Sequence, residues 1–145
     1  MKILIGDIGN TLTKLCLINE KSIIIKEYNI ETNSIIYKNN LTNLFKPILK
    51  QKIKQKILFS SVVPKAYKKI NKFLKTKKFK VYEIKTLPLK NLIKIKIDKY
   101  NQLGSDRIAN AIGAYNLFKK NCSFRFVSMS RLQASILSLI FLSFA

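Results

Sequence analysis

Ile3-Leu4-Ile5-Gly6-Asp7-Ile8-Gly9-Asn10-Thr11-Leu12-Thr13-Lys14-Leu15-Cys16-Leu17-Ile18 is the stretch whose reading decides the fold. Ile3, Leu4 and Ile5 form a short apolar run that ends at Gly6-Asp7, and Leu12 to Ile18 resumes an extended pattern. Ser22 to Tyr28 follows as a β-branched run bounded by Glu20-Lys21 and Asn29. Short apolar runs separated by turn residues read as strands, and the tightness of these turns predicts a three-stranded antiparallel meander.

Beyond the meander the apolar period changes. Leu41, Leu44, Phe45, Ile48 and Ile53 share one helical face with lysines opposite, and Pro47 is expected to bend or delay that helix. Lys56 to Val63 reads as a further strand, and Pro64 suits the first helical turn, where its missing N–H is not needed. Tyr67, Ile70, Phe73 and Leu74 continue that helix, Phe79 to Ile84 reads as a strand, and Thr86-Leu87-Pro88 as a turn. Ile93, Ile95 and Ile97 alternate with lysine or aspartate, as an edge strand or extended loop does, until Gly104 breaks the pattern. A last helix carries Ile108, Ala111, Ile112, Tyr115 and Phe118 on one face, with Asp106 near its start, where unpaired N–H groups favour a carboxylate. The order predicts an α/β fold in which the meander is followed by alternating helices and strands, rather than a strictly alternating doubly wound sheet.

The chain has 145 residues, the size of one domain, and a formal charge of +21. Lysines dominate that charge; the arginines are Arg107, Arg125 and Arg131. A dense lysine field attracts phosphate backbones and anionic surfaces, and the run from Lys38 to Lys80 holds fourteen lysines and no acid. A non-catalytic binder of nucleic acid is therefore one reading. Base-specific contacts lean on arginine and stacked aromatics, which are not clustered here, so we favour coding bias with solvated lysines and expect neither a nucleic-acid nor a membrane partner. The absence of histidine excludes a catalytic triad, and with Cys16 and Cys122 far apart it argues against a zinc centre. Cys16 sits in an apolar run and reads as a small core residue, with a disulfide left open. The opening residues lack a signal peptide's long apolar stretch, so the expected location is cytoplasmic.

Two motifs carry chemistry. In Gly6-Asp7-Ile8-Gly9-Asn10-Thr11, with Lys14 just beyond, Gly9 allows backbone to approach a phosphate, Asn10 and Thr11 supply short polar groups, and Asp7 can hold a hydrated Mg²⁺. The plain alternative is a hairpin with good turn residues. In Gly104-Ser105-Asp106-Arg107, Asp106 can take a proton from a hydroxyl and Arg107 can clamp a carboxylate or phosphate; the plain alternative is a helix cap with a salt bridge. A third segment, Phe59-Ser60-Ser61-Val62-Val63-Pro64, is chemically weaker, its serines expected to hydrogen-bond a strand end.

Taken together and in this order, Asp-Ile-Gly-Asn-Thr near residue 7, Ser-Ser-Val-Val-Pro near 60 and Gly-Ser-Asp-Arg-Ile-Ala-Asn-Ala from 104 into Ala114-Tyr115 make the chain resemble type III pantothenate kinases, over residues 1 to about 121. That family belongs to the acetate and sugar kinase, Hsc70 and actin superfamily. The resemblance implies a ribonuclease-H-like (actin-like ATPase) lobe and ATP-dependent phosphorylation of the 4′-hydroxyl of pantothenate, the first step of coenzyme A biosynthesis. It also implies Mg²⁺, a monovalent cation (K⁺ or NH₄⁺) and a homodimer. Asp7, Ile8, Gly9, Asn10, Thr11, Leu12, Thr13 and Lys14 match the ATP phosphate loop, with Asp7 toward the metal. Gly104, Ser105, Asp106 and Arg107 match the pantothenate-binding segment, with Asp106 as the proton acceptor.

The resemblance stops after Asn121. The family continues into Asp-Phe-Gly-Thr-Ala-Thr-Thr, which supplies its cation-binding aspartate and second phosphate loop, whereas this chain reads Cys122-Ser123-Phe124-Arg125-Phe126-Val127-Ser128-Met129-Ser130. No monovalent-cation site is found. A tyrosine that the family often places before its Gly-x-Asp-Arg falls on Ile97, with Tyr100 nearby as a substitute. Residues 122–145 contain no lysine, acid or proline and six serines, and the apolar run from Ile136 to Phe144 falls short of the roughly 20 residues a bilayer requires. The expectation is a kinase lobe over 1–121 and a non-matching apolar, serine-rich tail over 122–145, the truncated or frameshifted start of a second lobe. A fragment of that kind is expected to be inactive alone or to serve as a partner subunit.

Overall fold

The computed structural model describes residues 1–21, 23–38, 41–88 and 103–118. It opens with the expected meander: β1 (Ile3–Ile8), β2 (Leu12–Ile18) and β3 (Ile24–Glu31). These are followed by α1 (Thr32–Tyr37), α2 (Leu41–Leu49), β4 (Lys56–Ser61), α3 (Pro64–Thr76), β5 (Lys80–Glu83), a single 3₁₀ turn (Ile84–Thr86) and α4 (Ser105–Phe118). The five strands form one sheet in the order β3-β2-β1-β4-β5. β1 pairs antiparallel with β2 and parallel with β4, and β4 pairs parallel with β5.

Every residue of β1 is buried, so Ile3, Leu4 and Ile5 are apolar on both faces, and the strand runs on through Gly6-Asp7, where the apolar run ends, to Ile8. Helices cover both faces of this central strand. On one face Leu4, Ile8, Leu15, Leu17, Ile57 and Phe59 pack under α1, α2 and α3, with the Phe45 and Phe73 ring centroids 5.5 Å apart. On the other face Ile3, Ile5, Cys16, Ile18 and Leu58 pack against Ile108, Ala109 and Ile112 of α4. Cys16 is buried and free, as its apolar run suggested, and burial pushes its thiol up to about 11.

Several boundaries differ from the sequence reading. β3 starts and ends later than Ser22–Tyr28, because Leu12 pairs with Glu31 and carries the ladder past Asn29. Helix α1 gave no apolar period long enough to read; it follows directly on β3 and buries only Thr32 and Ile35. Pro47 does not delay α2. It lies inside the helix, two residues before its end, where it removes only its own N–H and leaves the start at Leu41 unaffected. Pro64 stands at the first position of α3, as expected. The expected extended segment at Ile93–Ile97, Tyr100, and the tail over 122–145 lie outside the described residues.

Candidate functional site

Strand register assembles the site before any side chain is considered. Asp7 pairs with Lys14 of β2 on one side and with Ser60 of β4 on the other, so the three occupy one rung across β2, β1 and β4. Alternation along a strand sends all three toward the face that α4 covers. The rung lies near the carboxyl ends of the parallel strands β1 and β4, the edge at which open α/β sheets bind ligands.

α4 brings the second motif to the same place. The Gly104 carbonyl accepts the N–H groups of Arg107 at 3.1 Å and Ile108 at 3.2 Å, which closes the first turn. Ser105 is buried beneath that turn, and Ile108, Ala109 and Ile112 anchor the helix to the sheet. Asp106 is then close enough to act on Asp7. Burial pushes the Asp7 carboxyl up from its ordinary 3.8 to about 6; the Ser60 hydroxyl pulls it down, the Asp106 charge adds to the rise, and Lys14 opposes it. Two carboxyl groups on a largely buried surface make a position that a cation relieves. Arg107 is exposed at the outer side of the turn.

The hairpin between β1 and β2 is held from below. The Gly9 N–H donates to the Leu12 carbonyl at 3.0 Å, and Asn10 and Thr11 are exposed at the tip. No described glycine has a positive φ, so Gly9 is needed for closeness rather than for handedness: a Cβ there would come within 3.0 Å of the Leu12 carbonyl oxygen. Thr32, the first residue of α1, donates its hydroxyl proton to the Gly9 carbonyl at 2.7 Å, and its N–H donates to the Thr11 carbonyl at 2.9 Å. Because the Thr32 proton is spent on Gly9, the Thr13 hydroxyl, 3.0 Å away, must be the donor in their mutual bond.

The structure thus brings Asp7, Lys14 and Asp106 together. It turns the buried Ile8 and Thr13 side chains to the opposite face, and leaves Leu12 exposed. Sequence reasoning missed Thr32, whose only signal was a hydroxyl directly after a strand. It also treated Ser60 and Ser61 alike. Ser61 does hydrogen-bond the strand end, through Val63, whereas Ser60 joins the Asp7 rung. A broad depression of about 490 Å³ at the other end of the sheet, lined by Met1, Lys2, Asn19, Glu20, Lys21 and Lys52, is remote from all of these groups. Among the described residues no cluster of three or more metal-ligating side chains occurs, and no helix is long and apolar enough to cross a membrane.

A mixed sheet with the β1–β2 hairpin at the carboxyl edge of its parallel strands and helices on both sides is the α/β arrangement of the acetate and sugar kinases and actin-like ATPases. The Type III pantothenate kinase family matches residues 3–124, and the chain belongs to that family. It is similar to a protein of Pelagibacter ubique (strain HTCC1062) named as a type III pantothenate kinase, with 48% identity over 115 residues. That alignment covers 79% of this chain and 46% of the relative, so the chain spans about half the length of the curated relative it matches.

Proposed function

We propose that residues 1–121 form the lobe of a pantothenate kinase that grips ATP phosphates and presents the base, the activity being ATP-dependent phosphorylation of pantothenate to 4′-phosphopantothenate. The observation that carries this reading is the convergence of the hairpin and the start of α4: Asp7 and Asp106 come from distant parts of the chain, yet the charge of one bears on the other. Phosphoryl transfer asks for donor and acceptor held in line with the charge between them neutralised. In this reading Gly9, Asn10, Thr11 and Leu12 offer backbone groups to the phosphates, with Ile8 and Thr13 fixing the hairpin from its buried side. Lys14 supplies positive charge. Gly104 and Ser105 form the turn that meets pantothenate, Arg107 faces its carboxylate, and Asp106 accepts the proton of its 4′-hydroxyl.

The groups around Asp7 fit magnesium. They are hard oxygens, the carboxyls of Asp7 and Asp106, and a site with one or two carboxylates suits an ion that keeps most of its water and takes the rest of its ligands from phosphate. Asp7 would hold it, and when bound the ion neutralises the phosphate charge. Family membership further supports a monovalent-cation requirement, a homodimer and a cytoplasmic setting.

The test is formation of phosphopantothenate from ATP, with and without K⁺, by the wild-type chain and by Asp106→Ala. The chain alone is expected to show little or no turnover, and K⁺-stimulated turnover that it gives alone or paired with an intact kinase chain should be lost in Asp106→Ala. Turnover that survives the substitution removes Asp106 as the base.

A further inference from the structure

The two serines of Phe59-Ser60-Ser61 are adjacent, so the strand sends them to opposite faces. Ser61 closes on its own chain: its hydroxyl donates to the Val63 carbonyl and accepts from the Val63 N–H, both at 3.2 Å. Ser60 has no such outlet. Its side chain is fully buried, and its hydroxyl has no hydrogen-bond partner in regular geometry. A buried hydroxyl left in that state loses its water and gains nothing in return, so the position calls for an acceptor that the folded chain supplies only on a small adjustment. Its neighbour on the rung is Asp7. Paired residues on neighbouring parallel strands point to the same face of the sheet, so the Asp7 carboxyl is the acceptor that stands beside this buried hydroxyl.

We propose that Ser60 is a positioning residue for Asp7: its hydroxyl donates to one carboxylate oxygen and leaves the other turned toward the hairpin, where Lys14 and Asp106 converge. The inference rests on the reading of Asp7 as the group that meets metal-bound phosphate. It separates the two serines by role, Ser61 ending the strand and Ser60 aiming the carboxylate.

The test is a double-mutant cycle on the full chain by urea unfolding at pH 8, with wild type, Ser60→Ala, Asp7→Ala and the double variant. The shift in midpoint caused by Ser60→Ala should vanish in the Asp7→Ala background, and Ser60→Thr, which keeps the hydroxyl, should restore the wild-type midpoint. Ser60→Cys, close in volume to serine but only a weak donor, should instead behave like Ser60→Ala, which separates the loss of the hydrogen bond from the loss of volume. An equal shift in both backgrounds overturns the proposal. Mn²⁺ binding in the presence of a non-hydrolysable ATP analogue, followed by electron paramagnetic resonance, reports on the site separately. Loss of an oriented ligand should weaken Mn²⁺ by about tenfold or more in Ser60→Ala. A wild-type chain that takes up no Mn²⁺ with nucleotide, while the cycle still shows coupling, removes the phosphate role of Asp7 and supports the Ser60–Asp7 pairing on its own.

Discussion

Asp106, in the first turn of α4, lies near enough to Asp7, at the end of β1, for its charge to add to the rise that burial imposes on the Asp7 carboxyl. The relationship depends on two unrelated pieces of construction. The sheet register fixes Asp7 between Lys14 and Ser60, and the apolar face of α4 fixes where its first turn lies. Neither motif alone specifies a site.

The raised Asp7 pKa makes stability depend on pH in a definite direction. The folded value of about 6 exceeds the unfolded value of 3.8, so the folded state binds the proton more tightly. No penalty exists below the unfolded value; it grows as pH rises between the two and is complete above the folded one, where the shift is worth about 3 kcal/mol. Asp7→Asn should therefore be more stable than wild type by about 2–3 kcal/mol above neutrality, with the difference closing toward pH 4. Urea midpoints across that range check it.

Thr32 anchors the hairpin by its bonds to Gly9 and Thr13. Thr32→Val keeps the shape and removes both, leaving the Gly9 carbonyl without its side-chain donor, and should cost about 1–3 kcal/mol in denaturant unfolding. Nucleotide affinity should fall with it, since the hairpin tip loses its support.

Gly6 is required for packing rather than for phosphate. A Cβ there would run into the Phe59 ring and approach the Leu15 side chain to 2.9 Å. Both neighbours are fully buried and have little room to move, so Gly6→Ala should destabilise by about 1–3 kcal/mol, read as a lowered melting temperature.

Lys78 has a φ of 65°, the only positive value among the described non-glycine residues, at the turn that leads from α3 to β5. The Phe79 N–H reaches back to the Leu74 carbonyl at 3.1 Å across that turn. Helices commonly end on a left-handed residue, and glycine takes that conformation without a Cβ clash. Lys78→Gly should raise stability by about 0.5–1 kcal/mol, visible in the same melting measurement.

The meander, α3 and α4 were legible because their patterns are local. Leu12 to Ile18 carries a strand's residues, and Tyr67, Ile70, Phe73 and Leu74 return at helical spacing behind Pro64. Both chemical motifs were legible for the same reason, as short runs of unusual residue types. What could not be read depends on register. Nothing in the sequence says that Ser60 rather than Ser61 stands beside Asp7, because a one-residue slip of β4 would exchange them. Thr32 escaped because its partners, Gly9 and Thr13, lie across a hairpin that only the folded meander closes over α1.

The central claim is that the hairpin and the start of α4 form one site, and amide chemical-shift mapping of the ¹⁵N-labelled chain tests it most directly. Titration with MgATP should move the resonances of Gly9 to Lys14, and pantothenate those of Gly104 to Arg107, with Asp7→Ala abolishing the first response. Shifts confined to the lysines of α3, unchanged by Asp7→Ala, would contradict it.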